Sequence, residues 1–415
     1  MLPVPRLTRL GAAVLVLLAA AACESGTGPS FTGSATLQFS SSTPPGVKNL
    51  SLQISGPGMD TATYFFSVDS TGLSSGRVVV PAGAKRHIVG LAYDSGGVNT
   101  YSGDTTVSLL PGLNPRLRLL LRALNASDSI VVTTGDFWYS RAAEPTARND
   151  LAAASLNGIV YAIGGKTGNT CTGLTAVEAF DPSTNSWTTR ASLPSGRFNP
   201  GAVSVAGILY VIGGDAGCAT RSNEVDAYDP STDTWTVKAP MPTARTAMAV
   251  VQVAGIIYAI GGDGSSAGST TVEAYDPATD TWATKASMPV ANDKMAAGVI
   301  NGIVYVAGGD LVPTATYAYD PVADSWTAKA SLPSSVSNFA GGAVGGRLIT
   351  AGGSSGGVFV TTVLAYDPQV DAWTVVAPTL TARGREAVAV ANGVLYALAG
   401  GADAQVVATN EAYQP

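Results

Sequence analysis

Gly213-Gly214, followed by Tyr228-Asp229-Pro230-Ser231-Thr232-Asp233-Thr234-Trp235, is the stretch whose reading decides the fold. The diglycine ends one extended run, and an Asp-Pro turn separates an aromatic residue from a tryptophan seven positions on. Outward in both directions the same unit returns. Gly-Gly pairs stand at 164/165, 213/214, 261/262, 308/309, 352/353 and 400/401. The aromatic and tryptophan return as Phe180/Trp187, Tyr228/Trp235, Tyr275/Trp282, Tyr319/Trp326 and Tyr366/Trp373. A second turn precedes each diglycine: Asn157-Gly158, Ala206-Gly207, Ala254-Gly255, Asn301-Gly302, Gly345-Gly346 and Asn392-Gly393. A period near 48 residues with two glycine-bearing turns per unit marks a chain built from one structural unit repeated six times.

Composition agrees with an all-β chain. Of 415 residues, 46% are hydrophobic and only 13% charged, with 48 glycines and 24 prolines marking frequent turns. The formal charge of −6 argues against a duplex-binding protein, so no nucleic-acid partner is expected. The single histidine, His87, excludes multi-histidine metal centres and leaves no second histidine for a catalytic triad. His87 lies mid-strand without a carboxylate or cysteine pattern around it. No metal or cofactor site and no catalytic residue is read from the chain, and no P-loop or nucleophile elbow is present.

The diglycine, the spaced Tyr and Trp and the period resemble the kelch repeat, which implies a six-bladed β-propeller over residues 135–415. The sixth unit ends at Glu411-Ala412-Tyr413-Gln414-Pro415 with no tryptophan. Trp138 is the one tryptophan left over, 49 residues before Trp187. The outer strand of the sixth blade is therefore expected from residues 136–141. Two charged columns run through the repeats. The acids stand at Glu178, Asp226, Glu273 and Glu411, giving way to Tyr317 and Leu364. The bases stand at Arg190, Lys238, Lys285, Lys329 and Arg141, giving way to Val376. We expect these two columns to face each other across neighbouring strands.

What the resemblance implies about function concentrates on one mouth of the channel. Ten residues after each tryptophan stand Arg148, Arg197, Arg245, Asn292, Val336 and Arg383, with Arg385 nearby. Kelch binding domains use such arginines to grip carboxylates. Arg148, Arg197, Arg245, Asn292, Arg383 and Arg385 are therefore the candidate ligand contacts, with a glycan or protein segment as the partner. The other reading is that the arginines bond local carbonyls and aspartate neighbours and close the gaps between blades. Asp215, Asp263 and Asp310 follow their diglycines on the same face. Copper-radical oxidases of the kelch class need histidines that this region lacks, and sialidase Asp-boxes are missing. A carbohydrate isomerase resembling the sialic-acid mutarotases is the alternative to a binding module. Cys171 and Cys218 occupy equivalent loops of neighbouring blades, and an exported chain should join them in a disulfide.

Ahead of the repeats, Arg6 and Arg9 precede an apolar run from Leu10 to Ala22, then Ala20-Ala21-Ala22-Cys23. Thirteen residues fall short of the roughly 20 needed to span a bilayer. The pattern resembles a bacterial lipoprotein signal over residues 1–22, with lipid on Cys23, a flexible tether over 23–33 and a place in the cell envelope. Residues 34–125 read as seven short strands of an immunoglobulin-like or transthyretin-like β-sandwich, joined by a linker over 126–134. A monomer is expected.

Overall fold

The computed structural model describes residues 34–42, 48–56, 59–67, 73–81, 83–93, 95, 99–109, 112–113, 118–123, 129–133, 136–264, 268–402 and 405–415. The signal, the tether and Cys23 lie outside the described residues. The chain divides into two compact units, Met1–Phe137 and Trp138–Pro415.

The first unit is a single nine-stranded sheet where two layers were expected. In spatial order its strands are Met59–Ser67, Asn49–Gly56, Gly83–Tyr93, Asn99–Leu109, Arg118–Ala123, Ser129–Thr133, Ser34–Ser42 and Leu73–Pro81, and Gly112–Leu113 pairs with Ser34–Ser42. The end strands Met59–Ser67 and Leu73–Pro81 lie beside one another, so the sheet curls back on itself. Period-2 alternation buries Leu50, Leu52 and Ile54, with Ile54 opposite Ile88 and Leu50 opposite Ala92. The expected linker contains a strand: Ile130-Val131-Val132 pairs with Leu121-Leu120-Leu119. A run of β-branched residues opposite leucines is a good pairing surface, which the polar residues around it masked.

The second unit holds six four-stranded antiparallel sheets. The second of them, in chain order, runs Gly201–Val205, Ile208–Ile212, Val225–Asp229 and Thr234–Val237, from inner to outer strand. The sixth takes Ala387–Ala391, Val394–Leu398 and Asn410–Gln414 from one end of the unit and Phe137–Arg141 from the other. The inner strands Ala152–Leu156, Gly201–Val205, Ala249–Val253, Ala296–Ile300, Ala340–Val344 and Ala387–Ala391 neighbour one another in that order, and the last neighbours the first. Such convergence demands small side chains. A Cβ on Gly201 would sit 2.1 Å from Val250 Cγ2, and one on Gly341 2.7 Å from Ala296 Cβ.

The repeat motif is a set of fastenings between successive sheets. Tyr228 packs against Trp235 directly across the strand pair, ring centroids 5.0 Å apart. Trp235 Nε1 donates to the Ala191 carbonyl of the preceding linker at 2.9 Å. The Asp233 carboxylate accepts from Tyr228 Oη at 2.6 Å and from the Ala191 amide at 2.9 Å. Asp280, Asp324 and Asp371 repeat the arrangement, and the Tyr hydroxyl is the first or second cause holding each acid below its usual range. The first four-stranded sheet carries Phe180, which has no hydroxyl, and there Asn185 takes the acid's place and accepts from the Ala142 amide at 3.0 Å. Trp138 enters the same series: its Nε1 donates to the Ala377 carbonyl at 2.9 Å, and its ring lies 5.2 Å from Tyr413.

The diglycine fits the next sheet's linker. Gly213 has φ 60°, and a Cβ there would stand 2.5 Å from the Arg245 carbonyl oxygen. Gly214 N–H donates to that same oxygen at 3.0 Å. In the sixth sheet the equivalent pair is Ala399-Gly400, one residue earlier than the visible Gly400-Gly401. Ala399 takes φ 54° and Gly400 donates to the Arg148 carbonyl. Position in the strand, set by the pairing of Leu398 with Asn410, decides the phase where residue identity misleads.

Candidate functional site

The arginine column lies inside the protein. Arg148, Arg197, Arg245 and Arg383 have 0% exposure, which removes them from any surface a ligand could touch. Each guanidinium meets the acid column. Arg148 Nη2 lies 2.8 Å from Glu178 Oε2 and also binds Glu144. Arg197 pairs with Asp226, Arg245 with Glu273 at 2.7 Å, and Arg383 with Glu411 at 3.2 Å. Carbonyl oxygens complete the shells: Arg197 Nη1 donates to Glu224 O at 3.2 Å and Arg245 Nη1 to Thr271 O at 3.1 Å. Asn292, also buried, donates to the Gly308 carbonyl at 2.6 Å and accepts from the Leu311 amide. These five side chains hold linkers onto sheets, a role that follows from their burial.

The expected pairing of the two charged columns is corrected with them. Glu178, Asp226, Glu273 and Glu411 are at most 4% exposed and face the arginines. The bases on the outer strands act instead on the turn acids of the next sheet: Arg190 on Asp233, Lys238 on Asp280, Lys285 on Asp324 and Lys329 on Asp371. A sequence signal for the true pairing existed. The acid becomes Tyr317 where the arginine becomes Asn292, and Leu364 where it becomes Val336.

Two residues beyond each buried position, the chain turns into the mouth of the channel. Asp150, Asn199, Ala247, Lys294, Asn338 and Arg385 all take positive φ, between 50° and 60°. Their backbones are hydrogen-bonded around the axis. The Asp150 amide donates to the Arg385 carbonyl, Asn199 to Asp150, Ala247 to Asn199, Lys294 to Ala247 and Arg385 to Asn338, at 2.6–3.0 Å. With five of the six amides consumed in this belt, recognition at the mouth falls mostly to the side chains. All six line a cavity of about 180 Å³ that continues between the small residues of the inner strands.

Charge at this mouth is mostly neutralised internally. Lys166 pairs with Asp150 at 3.2 Å, and Lys294 with Asp310. Arg221 bridges Asp215 at 3.0 Å and Asp263 at 2.6 Å, tying the second sheet's loop to the third. Burial, opposed by Thr246 and Arg221, holds the Asp215 carboxyl above its usual range. Arg385 is different: half-buried at the cavity, it has no carboxylate partner among the described residues. Of the six expected ligand contacts, Arg385 is the one the structure leaves facing open space. Cys171 and Cys218 form a disulfide with Cα atoms 4.8 Å apart, joining the loops of the first two sheets on this face. No group of three or more potential metal ligands occurs among the described residues.

Comparison with known proteins defines the class. Residues 150–332 match the KLHDC2/KLHL20/DRC7 Kelch-repeats domain, and residues 335–379 match the Kelch motif. The chain is an all-β, kelch-repeat protein. It is similar to a solved structure titled "Structure of YjhT", at 18% identity and a TM-score of 0.58, covering 65% of this chain and 95% of that one. That likeness concerns the fold. No curated protein matches the sequence.

Proposed function

We propose that this chain is an envelope-anchored binding module: a six-bladed kelch propeller, closed by the strand at 137–141, that takes a glycan or protein ligand bearing an anionic group at the channel mouth. The observation that carries the reading is Arg385, a half-buried guanidinium on the cavity rim without a carboxylate partner among the described residues, beside Asn338. A desolvated arginine with free donors favours a carboxylate or similar anion in bidentate geometry. Asp150 and Lys294 come from the first and fourth sheets, and Asn199 and Asn338 from the second and fifth. Each pair therefore faces across the ring, a polar rim suited to hydroxyl and amide groups. The isomerase alternative needs a carboxylate with shifted pKa facing the ligand. Glu386, the strongly shifted acid beside the cavity, turns its carboxyl toward Gly352 instead, and Asp215, also raised, is engaged by Arg221 and Thr246, which favours binding over catalysis.

Glycan and peptide arrays probed with the protein test this reading. Arg385→Ala should weaken the array hit by about 1.5–3 kcal/mol, roughly tenfold to a hundredfold, with the melting temperature unchanged. Retained affinity in Arg385→Ala would remove the mouth from consideration. Anchoring rests on Cys23 and on the signal-like run before it. Mass spectrometry of membrane-extracted protein should show an acylated N-terminal cysteine at position 23, and Cys23→Ser should release the protein. A mature form beginning at another residue would refute the anchor.

A further inference from the structure

The two seams that bound the sixth sheet carry more buried acid than their sister seams. Six residues after the tryptophan stand Glu144, Leu193, Met241, Met288, Leu332 and Thr379; thirteen after it stand Leu151, Pro200, Met248, Met295, Phe339 and Glu386. At both positions a residue otherwise apolar or neutral becomes glutamate, once on each side of the sixth sheet. Glu144, in the linker from the sixth sheet to the first, shares Arg148 with Glu178, and its amide bonds the Ala408 carbonyl of the sixth sheet. Glu386, at the start of the sixth sheet's inner strand, faces Arg383 and Glu411 and reaches the backbone of Gly352 in the fifth. Each cluster is Glu–Arg–Glu, two carboxylates to one guanidinium, with every member at most 6% exposed. Arg197 also has two acids, but the Glu224 side chain is 52% exposed and water screens it.

We propose that these two clusters form a proton-dependent latch, in which one proton per cluster keeps the sheet built from both ends of the unit seated against its neighbours. Two buried carboxylates cannot both stay ionised around a single cation without a large desolvation cost. Burial is the leading cause at both sites. It pushes Glu386 up to about 8 against the pull of Arg383, with Glu411 adding to the rise, and Glu144 to about 7 against Arg148, with Glu178 adding. The Glu386 oxygens make no hydrogen bond of ordinary geometry, and the nearby amides of Glu386 and Ala340 offset only part of the burial. Because both folded values lie above the ordinary glutamate range, the stabilisation is complete below about pH 4.5 and is lost as pH rises through 7 to 8. The aspartates of the turns behave oppositely, with stability lost only as pH falls below their ordinary range, so the two windows do not overlap.

Hydrogen exchange on the full chain between about pH 6 and pH 9, corrected for the intrinsic rate, reads the latch directly. Amides in 137–144 and 387–414 should exchange about tenfold faster at the upper end, while those in 201–237 hold steady. Glu386→Gln with Glu144→Gln should abolish the difference. Glu386→Met, which installs a residue found at the equivalent place in two sister seams, should do so in part and is the fallback if the double variant fails to fold. Equal acceleration in all six sheets, no acceleration in the native chain, or an unchanged response in the variants would overturn the proposal.

Discussion

Arg245→Ala should lower the stability of the repeat unit by about 3–5 kcal/mol, because it leaves Glu273, 3% exposed, as an uncompensated charge in a water-poor seam. The loss includes the Gly261 and Thr271 carbonyls, which the same guanidinium satisfies. The fold already contains the compensated alternative: the fifth sheet has Val336 and Leu364 at the two corresponding positions, packed in one apolar cluster. Arg245→Val combined with Glu273→Leu should therefore recover most of the loss, since replacing both partners by apolar groups removes the desolvation cost along with the attraction. Chemical denaturation of the two single variants and the double completes a thermodynamic cycle. A single variant that melts like the parent but fails to bind ligand would return Arg245 to the binding surface.

Trp138→Ala is the second large effect expected, about 3–5 kcal/mol. The indole is 7% exposed, packs on Tyr413 and donates to the Ala377 carbonyl, so truncation leaves both a cavity and an unpaired carbonyl. The damage should also be directional. The strand Phe137–Arg141 carries the outer edge of the sixth sheet and Asn410–Gln414 lies next to it, so proteolysis should begin at these two segments. Trp282→Ala makes the comparison, because Trp282 sits on a strand continuous with its own sheet. If Trp138→Ala melts like the parent, the N-terminal strand adds nothing to the stability of the sixth sheet.

Much of the scaffold was legible because its fastenings recur. A tyrosine or phenylalanine, an Asp-Pro turn and a tryptophan at constant spacing announce a hairpin whose aromatic pair lies directly across the strands, and five such pairs do. Trp138, surplus to the count, could be placed in the same column without coordinates. The cysteine pair was legible for the same reason, since equivalent loops of successive repeats lie side by side. The first unit was less legible: its strands were locatable, but nothing local distinguishes a two-layer sandwich from one sheet that curls, and Ser129–Thr133 looked like linker.

The sequence by itself determined the repeat, its strand order and the residues that would be charged. Only the tertiary structure decided which charges meet. Glu273 has Lys285 twelve residues ahead and Arg245 twenty-eight behind; the arginine column loses its charge at both places where the acid is lost, the outer-strand column at only one. Proximity in sequence favoured the lysine, yet the glutamate points into the seam where the arginine returns from the preceding linker, and the lysine reaches Asp324 of the next sheet. Burial follows from that direction. It decided between the two readings of four arginines, making them interior struts, and left Arg385, two residues past the last of them, at the mouth, because the chain there swings to positive φ to join the belt around the axis. A column of residues repeats in one dimension, but which side of a seam each side chain enters is settled by packing against a sheet some fifty residues away.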